Sequence, residues 1–210
     1  GALVAETRYF SVGGGMVENQ YGQTLATSAS QTRAGPYPYT SMSELTDWCA
    51  RENLSIAQVQ AANEYLSLQA EHDAMSATLW SVMSDCIDRG LAAQGELPGG
   101  LHVKRRAGAL WNRLLNNTQG DKAPANAAQR AMVYAMAVNE ENAAGHMVVT
   151  APTNGAAGVV PATLYYYYKH KDATTEQIRQ FLLSASAIGG LIKHNSSISG
   201  AEVGCQGEVG

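Results

Sequence analysis

Residues 41–49 read SMSELTDWC, and this stretch has the pattern of a helix start. Ser41, followed three residues later by Glu44, matches a capping box, in which each side chain satisfies a free backbone N–H at the helix N-terminus. The apolar residues that follow recur at helical spacing: Leu45, Trp48 and Cys49. The pattern predicts that a helical domain begins near Ser41.

Six further apolar repeats at helical spacing follow along the chain. Their predicted landmarks are Ser55 as an N-cap, Gly90 as a C-cap, a helix over residues 107–115, Pro124 and Pro161 at helix starts, and a helix capped by Thr174 or Thr175 and ended by Gly189 and Gly190. Strand-like composition is confined to residues 3–12 and a weaker candidate at residues 147–149. The predicted fold class is therefore mainly α, with a short β-rich N-terminal segment.

Residues 1–40 differ in character from the rest. Their strand-like stretch stops at the glycines of residues 13–15, and the proline-punctuated residues 35–39 are typical of an extended linker. We therefore predict two parts, an N-terminal segment with its linker at residues 1–40 and a helical domain at residues 41–210.

Composition argues against several classes of protein. The 210 residues carry a net charge of -4, whereas nucleic-acid-binding domains usually present a dense basic face. The basic cluster at residues 104–106 is expected to be a solvated helix face, with anion binding as the alternative. No apolar run approaches the roughly 20 residues that cross a bilayer, and no secretion signal is visible, so we expect a cytoplasmic protein without a membrane span. Because the first residue is Gly1, we expect an excised piece of a longer chain.

Three cysteines at wide spacing form a poor disulfide framework and favour reduced thiols. Cys49 and Cys86 fall on apolar helix faces, so we assign both to the core. Cys205 lies among very small residues, and three interpretations of it stay open: a small buried apolar residue, a nucleophile, or a ligand of a metal or cluster.

Four stretches rich in small polar residues interrupt the helical pattern: residues 139–145, 153–158, 195–202 and 204–208. Thr153, Asn154 and Gly155 come just before a predicted helix, where free backbone N–H groups and the helix dipole favour an anion such as a carboxylate. The same holds for Asn195 and Ser196 if a helix begins near Ser199. Ordinary capping turns are the alternative for each stretch.

At these same positions the chain resembles the bacterial iron–sulfur L-serine dehydratases. The segments that carry the resemblance occur in the family's order: SVGGG at 11–15, LPGGL at 97–101, NEENAAG at 139–145, APTNGAAG at 151–158 and SISGAEVGCQGEVG at 197–210. Residues 1–40 resemble the tail of the family's N-terminal regulatory domain, and residues 41–210 resemble its catalytic domain without the C-terminal end.

The resemblance implies a [4Fe–4S] cluster held by three cysteines, with one iron left open to bind L-serine. Cys205 matches the first of those cysteines, and in the family the other two lie further downstream. Residues 1–210 alone are thus expected to lack both the cluster and activity, and the intact enzyme is expected to be a homodimer.

The implied reaction removes water from L-serine and yields pyruvate and ammonia. For Glu202 the implied role is contact with the substrate amino group. Lys193 is the candidate base, with a solvated surface lysine as the alternative; His102, His146 and His194 are further candidates. The implied substrate-binding residues are Ser11, Gly13, Gly14, Gly15, Thr153, Asn154, Gly155, Asn195, Ser196 and Ser199.

Two other functions stay open at this point. One is a cluster-dependent lyase for another small amino acid, such as threonine or cysteine, because the sequence does not reveal the room near the substrate β-carbon. The other is a cofactor-free module that binds an amino acid through its polar loops.

Overall fold

The computed structural model describes residues 6–13, 16–25, 35–68, 71–116, 126–150, 153–196 and 204–209. Within these ranges the chain is mainly helical, which confirms the predicted fold class. The strands are β1 (Tyr9–Gly13), β2 (Met16–Asn19) and β3 (Thr24–Leu25). The helices are α1 (Met42–Glu52), α2 (Ile56–Leu68), α3 (Glu71–Ala92), α4 (Ala107–Asn116), α5 (Ala127–Ala143), α6 (Val159–Lys171), α7 (Thr175–Asn195) and α8 (Gln206–Val209), with a short 3₁₀ turn at Asn154–Ala156.

The three strands form one antiparallel sheet in the order β1-β2-β3. In its register, Tyr9 is opposite Asn19 and Phe10 is opposite Glu18. The weaker strand candidate at residues 147–149 is wrong. Val148 and Val149 are irregular backbone whose side chains pack against two different core clusters, so their apolar character reflects burial and not a strand ladder.

The predicted helix starts that rest on local capping are confirmed. Ser41 Oγ accepts a hydrogen bond from the Glu44 N–H at 3.2 Å, and the Glu44 carboxylate accepts one from the Ser41 N–H at 3.2 Å. Thr174 and Gln177 form the same reciprocal pair at the start of α7. Such caps need only residues a few positions apart, which explains why the sequence predicts them.

Three predicted helix boundaries are wrong, and a helix crossing accounts for one of them. Gly90 lies inside α3 and not at its end, because α5 crosses there: an added Cβ would lie 2.6 Å from the Ala137 carbonyl oxygen. Gly189 and Gly190 likewise lie inside α7, which continues to Asn195. Helix α5 begins at Ala127, with Asn126 as its N-cap, and not at Pro124, which lies outside the described residues.

The core consists of three clusters between helices. The first joins α3, α5 and α6 around Ile87, Tyr134 and Tyr165, and it includes the buried Cys86. The second joins α3, α6 and α7 and contains Met83, Leu164, Ala173, Ile178 and Leu182. The third joins α1, α2 and α7 and contains Leu45, Val59 and Ala187, with partly buried Cys49 packed against it. Both cysteines therefore belong to core clusters, as predicted.

The linker residues before α1 lie against the helical domain. The Tyr37 N–H donates to Asn63 Oδ1 at 3.0 Å, and Asn63 Nδ2 donates to the Tyr37 carbonyl at 2.9 Å. Trp48 Nε1 donates to the Pro38 carbonyl at 2.8 Å. The extended chain is thus attached to α1 and α2 by its own backbone groups. Among the described residues, no helix is both long and apolar enough to cross a bilayer.

The crossing of α3 and α5 yields a stability prediction. We expect Gly90→Ala to lower the free energy of unfolding by about 1–3 kcal/mol, because its methyl group must displace the α5 backbone. The matched control is Gly190→Ala, which is also inside a helix but has no neighbour within 4 Å of an added Cβ. This control should raise stability by about 0.5–1 kcal/mol, since alanine favours helix over glycine. Denaturant titration measures both, and a Gly90→Ala protein as stable as the wild type would contradict the assignment.

Candidate active site

Cys205 and Gly155 are in direct contact, although 50 positions separate them in the sequence. An added Cβ at Gly155 would overlap the Cys205 Sγ and lie 2.7 Å from the Cys205 Cβ. Only a residue without a side chain leaves room for this approach. The thiol is free, and Cys205 is exposed. The contact brings together two of the polar stretches that the sequence singles out, residues 153–158 and 204–208.

The 3₁₀ turn that contains Gly155 is fixed by a second contact. Asn154 Nδ2 donates to Asn142 Oδ1 at 2.8 Å, and Asn142 lies in the last turn of α5. Neither Thr153, at the start of this turn, nor Gly158, at the start of α6, supplies a side-chain cap to the backbone N–H groups that follow. The first backbone N–H groups of the 3₁₀ turn and of α6 thus lack a side-chain cap.

The polar stretch at residues 139–145 is mostly helical, so its assignment as an interruption of the helical pattern is wrong. Helix α5 continues through Ala143, and its last turns carry two buried carboxylates, Glu140 (3% exposed) and Glu141 (1% exposed). Glu140 accepts hydrogen bonds from the N–H groups of Arg106 at 2.7 Å and Ala107 at 3.3 Å. Its carboxylate thereby caps the N-terminus of α4, where the helix dipole favours a negative charge.

Glu141 binds three basic side chains from three separate segments. Arg105 Nη1 lies 2.8 Å from one carboxylate oxygen, while Arg89 Nε at 3.3 Å and His146 Nδ1 at 2.9 Å share the other. Burial raises the pKa of the Glu141 carboxyl, but the hydrogen bonds from Arg105, His146 and Arg89 outweigh it and hold that pKa below its usual range. Glu141 is thus a buried anion whose charge is compensated locally.

In the basic cluster at residues 104–106, Lys104 and Arg106 are exposed as expected, but the cluster is not on a helix and Arg105 is not solvated. The cluster precedes α4, and the Arg105 side chain is only 7% exposed because it is paired with Glu141. A guanidinium matches a carboxylate well in such a buried pair. The contact explains why the arginine is buried.

The residues predicted at the end of α7 lie differently from expectation. Asn195 is the last residue of α7 and Ser196 is its C-cap, so both lie at the C-terminal end of a helix, where the dipole disfavours anions. The Asn195 amide donates to the carbonyls of Thr40 at 3.1 Å and Leu191 at 2.9 Å. The helix start expected near Ser199 lies outside the described residues.

The other candidates are distributed as follows. Lys193 is in the last turn of α7 and exposed, so the burial on which its candidacy as a base depended is not observed. Ser11 and Gly13 lie in β1. Outside the described residues are Gly14, Gly15, Ser199 and Glu202.

The candidate histidines have different surroundings. His146 is paired with Glu141, and His102 Nδ1 lies 3.0 Å from Glu96 on the surface. His194 is exposed in the last turn of α7. Of the three, His146 is thus the one that lies beside the Glu141 carboxylate.

Sequence reasoning singles out the stretches that contain Arg105, Glu141 and Asn142, at residues 104–106 and 139–145, but it gives these three residues no individual role. The available signal was a pair of adjacent glutamates near a helix C-terminus, where negative charge is unfavourable unless cations compensate it.

Within the described ranges, no group of three or more His, Cys, Asp or Glu side chains could hold a metal ion, so Cys205 is a single thiol here. A surface cavity of about 310 Å³ between α3 and α7, lined by Trp80, Thr175 and Ile178 among others, contains none of the candidate residues.

The Glu141 pairing predicts how stability depends on pH. Folding lowers the pKa of the Glu141 carboxyl. The stabilisation that this carboxylate gives the folded state is therefore present at neutral pH and is lost as the pH falls through the lowered pKa. Glu141→Gln leaves Arg105 buried without its charge partner, so we expect a loss of about 3 kcal/mol at pH 7. The difference from wild type should shrink as unfolding is measured toward roughly pH 3.

The control for this prediction is Glu176→Gln, which removes a carboxylate paired with Arg179 on the surface. Exposed pairs contribute less than about 1 kcal/mol, so this variant should stay close to wild type throughout. A Glu141→Gln protein with a pH-independent deficit would show that folding does not lower the pKa of the Glu141 carboxyl.

Comparison with known proteins identifies the family of this chain. The family model described as serine dehydratase alpha chain matches residues 51–210. L-serine dehydratase 1 of Escherichia coli (strain K12) is 44% identical over 212 residues, covering 99% of this chain and 46% of that protein. L-serine dehydratase TdcG of the same organism is 47% identical, and L-serine dehydratase of Helicobacter pylori (strain ATCC 700392 / 26695) is 37% identical; each match covers 99% of this chain and 46% of the relative.

The chain spans about half the length of the curated relatives that it matches. The matched region includes Asn142, Asn154, Gly155 and Cys205, the residues that the structure brings together. By this match and this similarity, the chain belongs to the serine dehydratase alpha chain family.

Proposed function

We propose that the whole protein is an L-serine dehydratase that eliminates water from L-serine and releases pyruvate and ammonia. Family membership and the names of the relatives support this reaction. The observation that carries it is the contact of Cys205 with Gly155, because it joins the exposed thiol to the loop best suited to hold a carboxylate.

In this proposal, residues 153–155 hold the substrate carboxylate. The backbone N–H groups that follow Thr153 lie at a helical start without a side-chain cap, and such groups bind anions. The Asn154 side chain is already oriented by Asn142 at 2.8 Å, so the loop does not need to be ordered anew when substrate binds. A loop organised in advance loses less conformational entropy on binding.

Cys205 is the residue of this chain suited to ligate an iron–sulfur cluster. Its thiol is exposed, and the missing side chain at Gly155 leaves space beside the sulfur. One thiol cannot hold a [4Fe–4S] cluster alone, so the proposal requires further ligands from outside the described residues. When bound, such a cluster supplies an open iron that acts as a Lewis acid toward the departing hydroxyl.

The base that removes the Cα proton must lie within hydrogen-bond reach of the substrate. Glu202 keeps its proposed role as partner of the amino group, and Lys193 stays a candidate base although it is exposed in this structure. His146 Nδ1 is bonded to Glu141, which orients the ring and does not occupy Nε2, so His146 stays a candidate base beside Lys193. A homodimer and a cytoplasmic location complete the proposal.

Replacement of the proposed ligand tests the function. In the anaerobically reconstituted whole protein, we expect Cys205→Ala to abolish both the brown cluster chromophore and the release of pyruvate from L-serine, because the cluster loses a thiolate. The matched control is Cys49→Ala, which removes a partly buried core thiol and should keep both properties. Residues 1–210 alone should release no pyruvate after the same treatment.

Different outcomes separate the alternatives. A Cys205→Ala protein that keeps both colour and turnover would refute the ligand assignment. Faster turnover of L-threonine or L-cysteine than of L-serine would show a different substrate. Tight L-serine binding by the wild-type protein without any turnover would favour the binding module.

A further inference from the structure

We infer that Glu141 is a positioning residue for the proposed reaction, because it anchors the end of α5 from which Asn142 holds Asn154 and Gly155 against Cys205. This inference rests on the proposed function for its kinetic consequence. The structural part of the inference is that Glu141 supports the contacts that lead through Asn142, Asn154 and Gly155 to Cys205. This part does not depend on the reaction.

The position of Glu141 is electrostatically unfavourable without its partners. It lies two residues before the end of α5, where the helix dipole opposes a negative charge, and it is 1% exposed, so desolvation also opposes the charge. The neighbouring Glu140 has a structural explanation, since it caps α4. Glu141 caps no helix N-terminus and instead bonds to Arg89, Arg105 and His146.

These three partners join the C-terminal end of α5 to three segments of the chain. Arg89 comes from α3, Arg105 from the segment before α4, and His146 from the segment after α5. Two backbone contacts reinforce the arrangement. The His146 N–H donates to the Glu141 carbonyl at 3.0 Å, and Arg89 Nη2 donates to the Met147 carbonyl at 3.4 Å. The start of the segment that leads to Thr153 is therefore attached to the Glu141 carboxylate and its partners.

From Glu141 to the thiol, the path is short and continuous. Glu141 is joined by a peptide bond to Asn142, whose Oδ1 accepts from Asn154 Nδ2 at 2.8 Å. Asn154 is joined to Gly155, which contacts the Cys205 side chain. A rigid supporting shell of this kind orients the groups that touch a substrate or metal ligand.

The test measures backbone hydrogen exchange in the whole protein under anaerobic conditions. We expect Glu141→Gln to accelerate exchange at residues 153–158 by about ten-fold, in line with the loss of a supporting shell. The matched control is Glu140→Gln, which is equally buried and adjacent. This control should accelerate exchange at the start of α4, residues 107–110, and leave residues 153–158 unchanged.

Steady-state kinetics supply the functional readout. Because the loop is proposed to hold the carboxylate in the ground state and the transition state alike, Glu141→Gln should raise KM for L-serine about ten-fold or more and change kcat less. Glu140→Gln should leave KM within about two-fold of wild type. A purely structural role for Glu141 would lower the active fraction, and thus kcat, without the rise in KM.

If Glu141→Gln does not fold, Arg89→Gln replaces it, since this half-exposed arginine supplies only one of the three bonds. It should accelerate exchange at residues 153–158 in the same direction by a smaller factor. Unchanged exchange at residues 153–158 in the folded variants, or an equal increase with Glu140→Gln, would overturn the inference. If the wild-type protein releases no pyruvate, the proposed function fails, and the exchange data alone decide the positioning role.

Discussion

Cys205 can lie where it does because residue 155 has no side chain. The sulfur lies against the backbone of Gly155, at the point where an ordinary Cβ would be, and this steric condition joins the start of α6 to the start of α8. The exposed thiol is thereby next to the backbone N–H groups of a helical start. The proposed function requires this proximity, because one substrate must reach both the cluster and the loop that holds its carboxylate.

The buried carboxylate of Glu141 supports the contact between Gly155 and Cys205, and that of Glu140 supports the start of α4. Two adjacent glutamates leave α5 in different directions: Glu140 reaches the N-terminus of α4, and Glu141 reaches the arginines at 89 and 105. Each carboxylate would destabilise the fold if it were buried without its partners. Together they fix the start of α4 and the end of α5. Asn142, at the end of α5, then orients the loop through its hydrogen bond with Asn154.

The sequence predicts the local interactions of this fold. It does not predict those between residues that are far apart in the chain. Capping pairs such as Ser41 with Glu44 are local, so they were predictable. Gly90 and Gly190 are both glycines near a predicted helix end, so the sequence does not distinguish them. In the structure, Gly90 permits a helix crossing, whereas an added Cβ at Gly190 would meet no neighbour. The stretch at 153–155 and Cys205 were each singled out from sequence, but their contact depends on how α5, α6 and α8 pack. The sequence does not predict the role of Glu141, because two of its three partners, Arg105 and Arg89, are 36 and 52 residues away.

The most direct test is the cluster content of Gly155→Ala in the anaerobically reconstituted whole protein, with Gly158→Ala as its matched control. Both glycines are crowded, but Gly158 faces the Ala135 backbone, with an added Cβ 2.7 Å from its carbonyl oxygen, and not Cys205. We predict that Gly155→Ala lowers iron and sulfide per folded chain by about ten-fold or more, because its methyl group displaces the ligand sulfur. Gly158→Ala should lower stability yet keep the cluster content of its folded fraction. Equal cluster content in Gly155→Ala and wild type would contradict the role assigned to this contact.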